Sequence, residues 1–109
     1  MYNYGMAKAV KGTQGCVYFL LAPSVRRLKI GFSIKLDSRV NDLRLGSPID
    51  LILVKYICGT LQLEITLLAL FDRFRLHGEW FEAEPELMDF VEQLPHGEHV
   101  TPDELVKNF

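Results

Sequence analysis

The chain lacks any apolar run approaching the roughly 20 residues that a membrane-spanning helix needs. Its N-terminus, MYNYGMAKAVKGTQG, has lysines but no apolar segment after them, so we expect no secretory signal. It also has no internal repeat, no low-complexity segment and no glycine-rich phosphate loop. These absences predict a soluble, cytoplasmic protein without a membrane partner.

The cysteines and histidines also lack the spacing of a metal site. Cys16 and Cys58 each lie in an apolar, strand-like run and have no C-x-x-C partner, so we expect buried free thiols in a reducing compartment. His77, His96 and His99 show no spacing typical of a metal site or of a nucleophile–base pair. His96 and His99 flank Gly-Glu in a predicted loop and should be exposed.

Charge is distributed unevenly along the 109 residues, which are enough for one domain. Residues 1–45 hold eight Lys or Arg against two Asp or Glu, a net charge of +6. Residues 46–109 hold four against twelve, a net charge of −8. Either the basic half faces a polyanion, or the two halves attract each other on folding.

Two strands are predicted near the start, CVYFLL (16–21) and LKIGF (28–32), joined by the hairpin loop APSVRR. Pairing Tyr18 opposite Gly31 fixes which residues share a face. The face expected to form the core carries Val17, Phe19, Leu21, Leu28, Ile30 and Phe32. The other face carries Tyr18, Leu20 and Lys29, and Gly31 should leave space over the sheet there.

Alternating helices and strands are predicted for the rest of the chain. Leu36, Val40 and Leu43 recur at helical spacing, and Gly46 fits the stop of that helix. LILVKYIC (51–58) is apolar at nearly every position, which is typical of a central strand covered on both sides. A largely buried helix should follow from about residue 60 to residue 76.

The C-terminal third is predicted to be helical after a connector, GEWFEAEP. Pro85 should open a helix that runs through Leu94, and Thr101 with Glu104 forms a capping-box pattern for a last short helix. The predicted fold is therefore α+β, a three-stranded, at least partly antiparallel sheet flanked by helices. We divide the chain into a flexible basic lead-in (1–14), a domain (15–94), and a C-terminal loop and short helix (95–109).

Glu64 is unusual because Leu61, Leu67 and Leu68 surround it at helical spacing. Burying an ionised carboxylate costs several kcal/mol or more unless a cation or hydrogen bonds compensate, and a metal ion or Arg39 would do so. The alternative is a first-turn glutamate that is favoured by the helix dipole and still reaches water.

Four other residues have both a functional and a structural interpretation. Arg39 lies at the edge of an apolar stripe, where its planar guanidinium could bind a phosphate or simply be solvated. Tyr18 could act in chemistry or only pack, and Lys29 is most simply a solvated strand residue. Trp80 beside Phe81 would anchor the core at the sheet edge, or would stack on a nucleobase. Together, a tyrosine, an arginine and a carboxylate supply the groups that metal-assisted phosphodiester hydrolysis requires.

On these residues the sequence resembles the GIY-YIG nuclease superfamily, in particular its small phage-associated branch with KIG as second motif and GEWF at the end of the core. CVY (16–18) stands for the first motif and KIG (29–31) for the second, with ten residues between them. Arg39 lies eight residues after Gly31, and Glu64 falls early on a later helix. The resemblance covers residues 15–94.

The resemblance implies a three-stranded antiparallel sheet flanked by helices and metal-dependent cleavage of a nucleic-acid backbone, with DNA as the first expectation. It implies that Tyr18 acts in or near proton transfer from water and that Arg39 contacts the scissile phosphate. Glu64 would ligate Mg²⁺ or Mn²⁺. Lys29 replaces the second-motif tyrosine and could stabilise a phosphate.

The sequence departs from the family pattern at several positions, which keeps a second interpretation open. Cys16 replaces the first-motif glycine, and Leu67 and Leu68 occupy positions where relatives often carry a histidine. The alternative function is a catalytically degenerate module that binds nucleic acid or inhibits a protein partner. A homodimer or a protein partner would supply the sequence specificity that so small a domain lacks. The basic residues expected to contact nucleic acid are Arg26, Arg27, Lys35 and Arg44.

Overall fold

The computed structural model describes residues 12–108; residues 1–11, which hold most of the predicted lead-in, and Phe109 lie outside the described part. The elements are β1 (Gln14–Ala22), β2 (Arg27–Ser33), α1 (Leu36–Leu45), β3 (Ile52–Thr60), α2 (Leu61–Leu70), β4 (Arg75–His77), β5 (Trp80–Glu82), α3 (Pro85–Gln93) and α4 (Pro102–Asn108). No helix within residues 12–108 has the length and hydrophobicity of a membrane span.

The strands form one antiparallel sheet in the order β3-β1-β2-β5-β4. The α+β class is confirmed, but the prediction of three strands is wrong because the sheet has five. The helix predicted to reach Leu76 ends at Leu70, and a 3₁₀ turn leads into β4. Gly78, at φ +54°, turns the chain into β5, which occupies part of the predicted connector. Strands of three residues are too short for an alternating pattern to reveal them.

The hairpin of β1 and β2 has the predicted register, with Tyr18 paired to Gly31. Its predicted apolar face packs under α2, α3 and α4, and we call this cluster the major core. Its largest fully buried members are Phe19, Phe32, Phe81, Leu28, Ile30, Ile57, Leu63, Leu67, Leu87 and Leu94. Register and alternation thus follow from the requirement that one side of the pleated sheet be buried.

The prediction that residues 51–58 form a central strand is wrong, since β3 lies at the edge of the sheet. Its outer edge is nevertheless covered by the chain after α3. The backbone N–H of Cys58 donates to the Glu98 carbonyl at 2.8 Å, and the Val100 N–H donates to the Cys58 carbonyl at 2.8 Å. Covering an edge in this way satisfies its hydrogen bonds and blocks pairing with another chain. An apolar sequence therefore suits this strand although it is not central.

The second face of the sheet was expected to be open, and the structure corrects this. Helix α1 lies over it and contributes Val40 to a second, smaller cluster. The buried members of this cluster, which we call the α1 face, are Tyr18, Leu20, Ala22, Val40 and Leu51. The functional residues of the hairpin therefore lie beneath a helix and not on a bare sheet surface.

Two polar contacts fix the C-terminal part of the chain. The predicted capping box is confirmed: the Thr101 N–H donates to Glu104 Oε1 at 2.8 Å, and the Glu104 N–H donates to Thr101 Oγ1 at 3.2 Å. Lys55 Nζ on β3 donates to the carbonyls of Glu92 and Leu94 at 2.9 and 2.6 Å. These carbonyls lie at the C-terminal end of α3, where a cation is favourable.

Candidate active site

Tyr18 is the centre of the candidate site, and its ring lies directly over Gly31. A Cβ atom at Gly31 would come within 2.3 Å of the Tyr18 Cζ and Oη atoms, so any side chain there would displace the phenol. The space predicted over Gly31 therefore exists, but the tyrosine ring fills it. Tyr18 is only 1% exposed. The pairing of these two motif residues is thus a steric requirement.

Burial raises the pKa of the Tyr18 hydroxyl to about 12. A side-chain hydrogen bond with Arg39 acts in the opposite direction and lowers this pKa, whereas the negative charge of Glu79 raises it further. A phenol with this pKa carries its proton at neutral pH. Tyr18 is therefore suited to donate a hydrogen bond at this site.

Arg39 reaches Tyr18 because of where α1 begins. The Arg39 N–H donates to the Lys35 carbonyl at 3.0 Å in the first turn, and the next residue, Val40, is buried against the sheet. This anchor directs the half-buried Arg39 side chain towards the Tyr18 hydroxyl. Arg39 is therefore not simply a solvated surface charge, because its side chain is half-buried and interacts with Tyr18.

Lys29 is not the solvated strand residue that the sequence predicts. Its Nζ atom lies 3.0 Å from Glu79 Oε1, and the two side chains are only 11% and 6% exposed. The Ile30 N–H donates to the Glu79 carbonyl at 3.0 Å, which holds this glutamate against β2. Sequence reasoning missed Glu79 as a site residue. The available signal was its place in GEWF, the motif that carries part of the family resemblance.

Glu64 is fully buried in the first turn of α2, so the alternative in which it reaches water is wrong. Its charge also raises the pKa of Tyr18, although it is the smallest of the contributions. Arg39, Glu64 and Glu79 therefore all lie within electrostatic range of Tyr18, and Lys29 is paired with Glu79. The catalytic roles of Tyr18, Lys29, Arg39 and Glu64 stay predictions.

A divalent cation was also predicted at Glu64. Within residues 12–108 no group of three or more His, Cys, Asp or Glu side chains is arranged to hold a metal. Mg²⁺, however, is commonly held by one or two carboxylates, with water and substrate phosphate oxygens completing its coordination. The hard oxygen donors of Glu64 and Glu79 are of the right chemical type for Mg²⁺ or Mn²⁺. A cation at this position stays a prediction.

The four basic residues expected to bind nucleic acid are all exposed. Arg26 and Arg27 lie at the tip of the β1–β2 hairpin, and Arg26 adopts φ +54°. Lys35 precedes α1, and Arg44 lies in its last turn, where Nε donates to the Leu51 carbonyl at 3.1 Å. None of the four contributes to the pKa shift of Tyr18.

The two cysteines are adjacent, which the sequence does not reveal. Cys16 and Cys58 are paired across β1 and β3, with their Sγ atoms 3.6 Å apart. Both are free thiols, as predicted, but they are half-buried and not fully enclosed. Burial, followed by the interaction with Cys58, raises the pKa of Cys16 to about 11, so this thiol is protonated at neutral pH. Their separation of 42 residues hides the pairing until β3 is placed beside β1.

The described fold is an α+β domain built on one antiparallel sheet with helices, and the phage-associated domain to which it corresponds has a nuclease-like fold. Residues 15–94 match the T5orf172 domain, a phage-associated domain, and the chain belongs to that family. The search of curated proteins found no match. The search of solved structures likewise found none. The more specific resemblance to GIY-YIG nucleases stays a prediction.

Proposed function

We propose that the protein is a metal-dependent endonuclease of the GIY-YIG type that hydrolyses phosphodiester bonds, with DNA as the first substrate. The single observation that carries this proposal is the cluster around Tyr18, in which an arginine, a glutamate and a lysine–glutamate pair meet beside one phenol. A phosphodiester needs groups that neutralise its developing negative charge, and Arg39 and Lys29 are suited to that task.

Each residue has a role that follows from its chemistry. Arg39 would hold two oxygens of the scissile phosphate, since a guanidinium donates through parallel N–H groups. Tyr18, protonated at neutral pH, would donate its hydrogen bond to the phosphate or to the attacking water. Lys29, held by Glu79, would place a positive charge beside the same phosphate. Glu64 would hold Mg²⁺ or Mn²⁺, which when bound would neutralise phosphate charge and lower the pKa of water.

A second candidate function is a non-catalytic module that binds nucleic acid on the same fold. It is favoured by the complete burial of Glu64, which a metal or substrate would have to approach, and by the Lys29–Glu79 pair. In this function Arg39 and the exposed basic residues would bind phosphates without cleavage. Its affinity should fall steeply as salt rises, because binding releases condensed counterions.

Incubation of purified protein with supercoiled plasmid, single-stranded DNA and branched DNA tests the proposal. Reactions contain Mg²⁺, Mn²⁺ or a chelator. Glu64→Gln and Arg39→Gln should each reduce metal-dependent cleavage by about 100-fold or more, the scale of losing one charge-stabilising group. Glu86→Gln and Arg73→Gln each break an exposed ion pair whose members do not act on the pKa of Tyr18, and they serve as matched controls that keep full activity.

The outcomes separate the two functions. Cleavage that survives chelation or Glu64→Gln would contradict the metal-dependent mechanism. Absence of cleavage on every substrate, from protein shown to be folded by circular dichroism, together with salt-dependent binding of DNA, would favour the non-catalytic module.

A further inference from the structure

A cavity of about 270 Å³ lies on the same side of the sheet as Tyr18, towards the tip of the β1–β2 hairpin. Ala22 and Leu51, both buried members of the α1 face, contribute to its lining, as does the exposed Ile49 from the loop between α1 and β3. Trp80 on β5 also lines the cavity. We call this cavity the Trp80 pocket.

The Trp80 pocket is connected to the candidate active site through named contacts. Trp80 is the cross-strand partner of Lys29, whose Nζ atom lies 5.5 Å from the centre of the indole. Lys29 is paired with Glu79, and Glu79 acts electrostatically on Tyr18. Ala22 lies four residues beyond Tyr18 on β1, about 13 Å away at the rise of a strand. At this separation, a nucleic-acid strand bound at Tyr18 would bring a nearby nucleotide to the pocket.

The rim of the pocket carries groups that suit a phosphate backbone. Arg27 and His77 line it and are exposed, and Arg26 lies next to them at the hairpin tip. Glu82 is the cross-strand partner of Arg27, but neither arginine forms an ion pair with another residue in the 12–108 range. An apolar floor with a cationic rim matches a ligand that has a planar apolar part joined to an anion.

The volume of the cavity and the indole of Trp80 further restrict which ligands the pocket can bind. A cavity of about 270 Å³ is below the roughly 300–1,000 Å³ that enclose drug-sized ligands, and it suits one ring system. Base stacking on an aromatic side chain contributes to binding of single strands and tolerates different sequences, because every base has a π-face. In a duplex the bases are stacked on one another and cannot enter.

From this arrangement we propose that the Trp80 pocket binds one unpaired nucleobase beside the phosphate held at Arg39. The protein then prefers single-stranded nucleic acid, or a duplex with an unpaired base, over a fully paired duplex. This inference rests on the proposed nucleic-acid function and specifies the substrate class of the same site. It does not require cleavage, so binding alone tests it.

The experiment uses the fact that Trp80 is the only tryptophan of the chain, so its fluorescence reports on the pocket directly. In chelator, to prevent cleavage, the protein is titrated with a short oligothymidine strand, an abasic strand of equal length, and a paired duplex. Affinity is measured in parallel by anisotropy of 5′-labelled strands. We expect quenching by oligothymidine alone, and about tenfold or more tighter binding of it than of the abasic strand.

Three variants test whether the effect arises in the Trp80 pocket. Ile49→Glu places a charge in the pocket and keeps the tryptophan, whereas Ile52→Glu places the same charge on an exposed isoleucine that does not line it. The affinity ratio of base-bearing to abasic strand should fall towards one in Ile49→Glu and stay unchanged in Ile52→Glu. Each introduced carboxylate also repels the phosphates of every strand. This repulsion cancels when the affinity for the base-bearing strand is divided by the affinity for the abasic strand. Trp80→Leu should lower the ratio in the same way.

The results separate this inference from the function on which it rests. One contradicting result is equal affinity for the oligothymidine and abasic strands without quenching of the tryptophan. Another is tighter binding of the duplex than of the single strand. With either result the proposed base pocket is wrong, while nucleic-acid binding by the protein stands. If no strand binds at any salt concentration, both proposals are overturned.

Discussion

The two sides of the sheet are built on different principles. The major core is a cluster of seventeen buried apolar residues, whereas the cluster on the α1 face has only five. Lys29 and Ser33, which are buried polar residues of β2, alternate with the residues of β2 that enter the major core. The ion pair of Lys29 with Glu79 belongs to this second, smaller side. Large apolar area removed from water is the main stabilising term in a domain of this size. The major core therefore stabilises the fold, and the α1 face is free to hold groups that cost stability.

This difference explains how one short hairpin serves both purposes. Successive residues of a strand point to opposite faces, so Phe19 enters the major core while its neighbour Tyr18 enters the candidate site. A change at one residue should therefore affect stability, and a change at the next should affect chemistry and its pH dependence.

The largest expected effect comes from cutting a side chain out of the major core. Phe19→Ala should lower the free energy of unfolding by about 3–5 kcal/mol, because it removes a fully buried ring and leaves a cavity. Val40→Ala on the α1 face should lower it by about 2 kcal/mol, since it removes two methyl groups. Urea denaturation followed by circular dichroism measures both. Equal losses would contradict the division between the two faces.

The same comparison shows what the sequence could reveal. Alternation in the hairpin predicted the register of Tyr18 and Gly31, because burial of one face permits only one register. The apolar neighbours of Glu64 predicted that its carboxylate is buried, and the structure has it fully buried. Local patterns of this kind carry information whenever one face of an element is apolar.

The features that the sequence did not reveal depend on contacts between distant segments. The β4 and β5 strands are too short to show a period, and the edge position of β3 is masked by the loop that covers it. Glu79 becomes a site residue only because β5 pairs with β2 and places it beside Lys29. Cys16 and Cys58 likewise meet only through strand pairing.

The next effect concerns the buried ion pair. Glu79→Gln should lower the free energy of unfolding by about 3 kcal/mol, because it leaves the Lys29 ammonium buried without a counter-charge. Glu86→Gln is the matched control: it breaks an exposed pair with Arg73 and should cost less than about 1 kcal/mol. Urea denaturation at neutral pH compares the two.

A double variant sharpens this test. Lys29→Met with Glu79→Met removes both charges, and apolar replacements of a buried pair are often neutral or stabilising. The double variant should therefore be more stable than Glu79→Gln alone. If it is less stable, the pair contributes net stability, and the α1 face is not the costly side of the molecule.

The smallest effect at neutral pH is expected at Tyr18, and it grows with pH. Burial raises the pKa of Tyr18 to about 12, against the ordinary 10.0 that applies to the unfolded chain. Between these values the folded state keeps a proton that the unfolded state loses, so stability is present in full below pH 10 and is lost as pH rises towards 12. The loss over that interval is about 3 kcal/mol, at about 1.4 kcal/mol for each pH unit.

Tyr18→Phe removes the titrating hydroxyl and keeps the ring over Gly31. The part of the alkaline decrease in the free energy of unfolding that comes from Tyr18 should therefore be absent in this variant. Urea denaturation of both proteins from pH 8 to pH 10.5 measures it, and the stability of the wild type should fall more steeply in the upper part of that range. Cys16, whose pKa is raised to about 11 from 9.0, adds an alkaline slope of its own, but both proteins share it and it cancels in the difference. Parallel curves would mean that the Tyr18 hydroxyl ionises as freely in the folded state as in the unfolded one. The phenol would then be accessible to solvent, and the α1 face would be as open as the sequence first suggested.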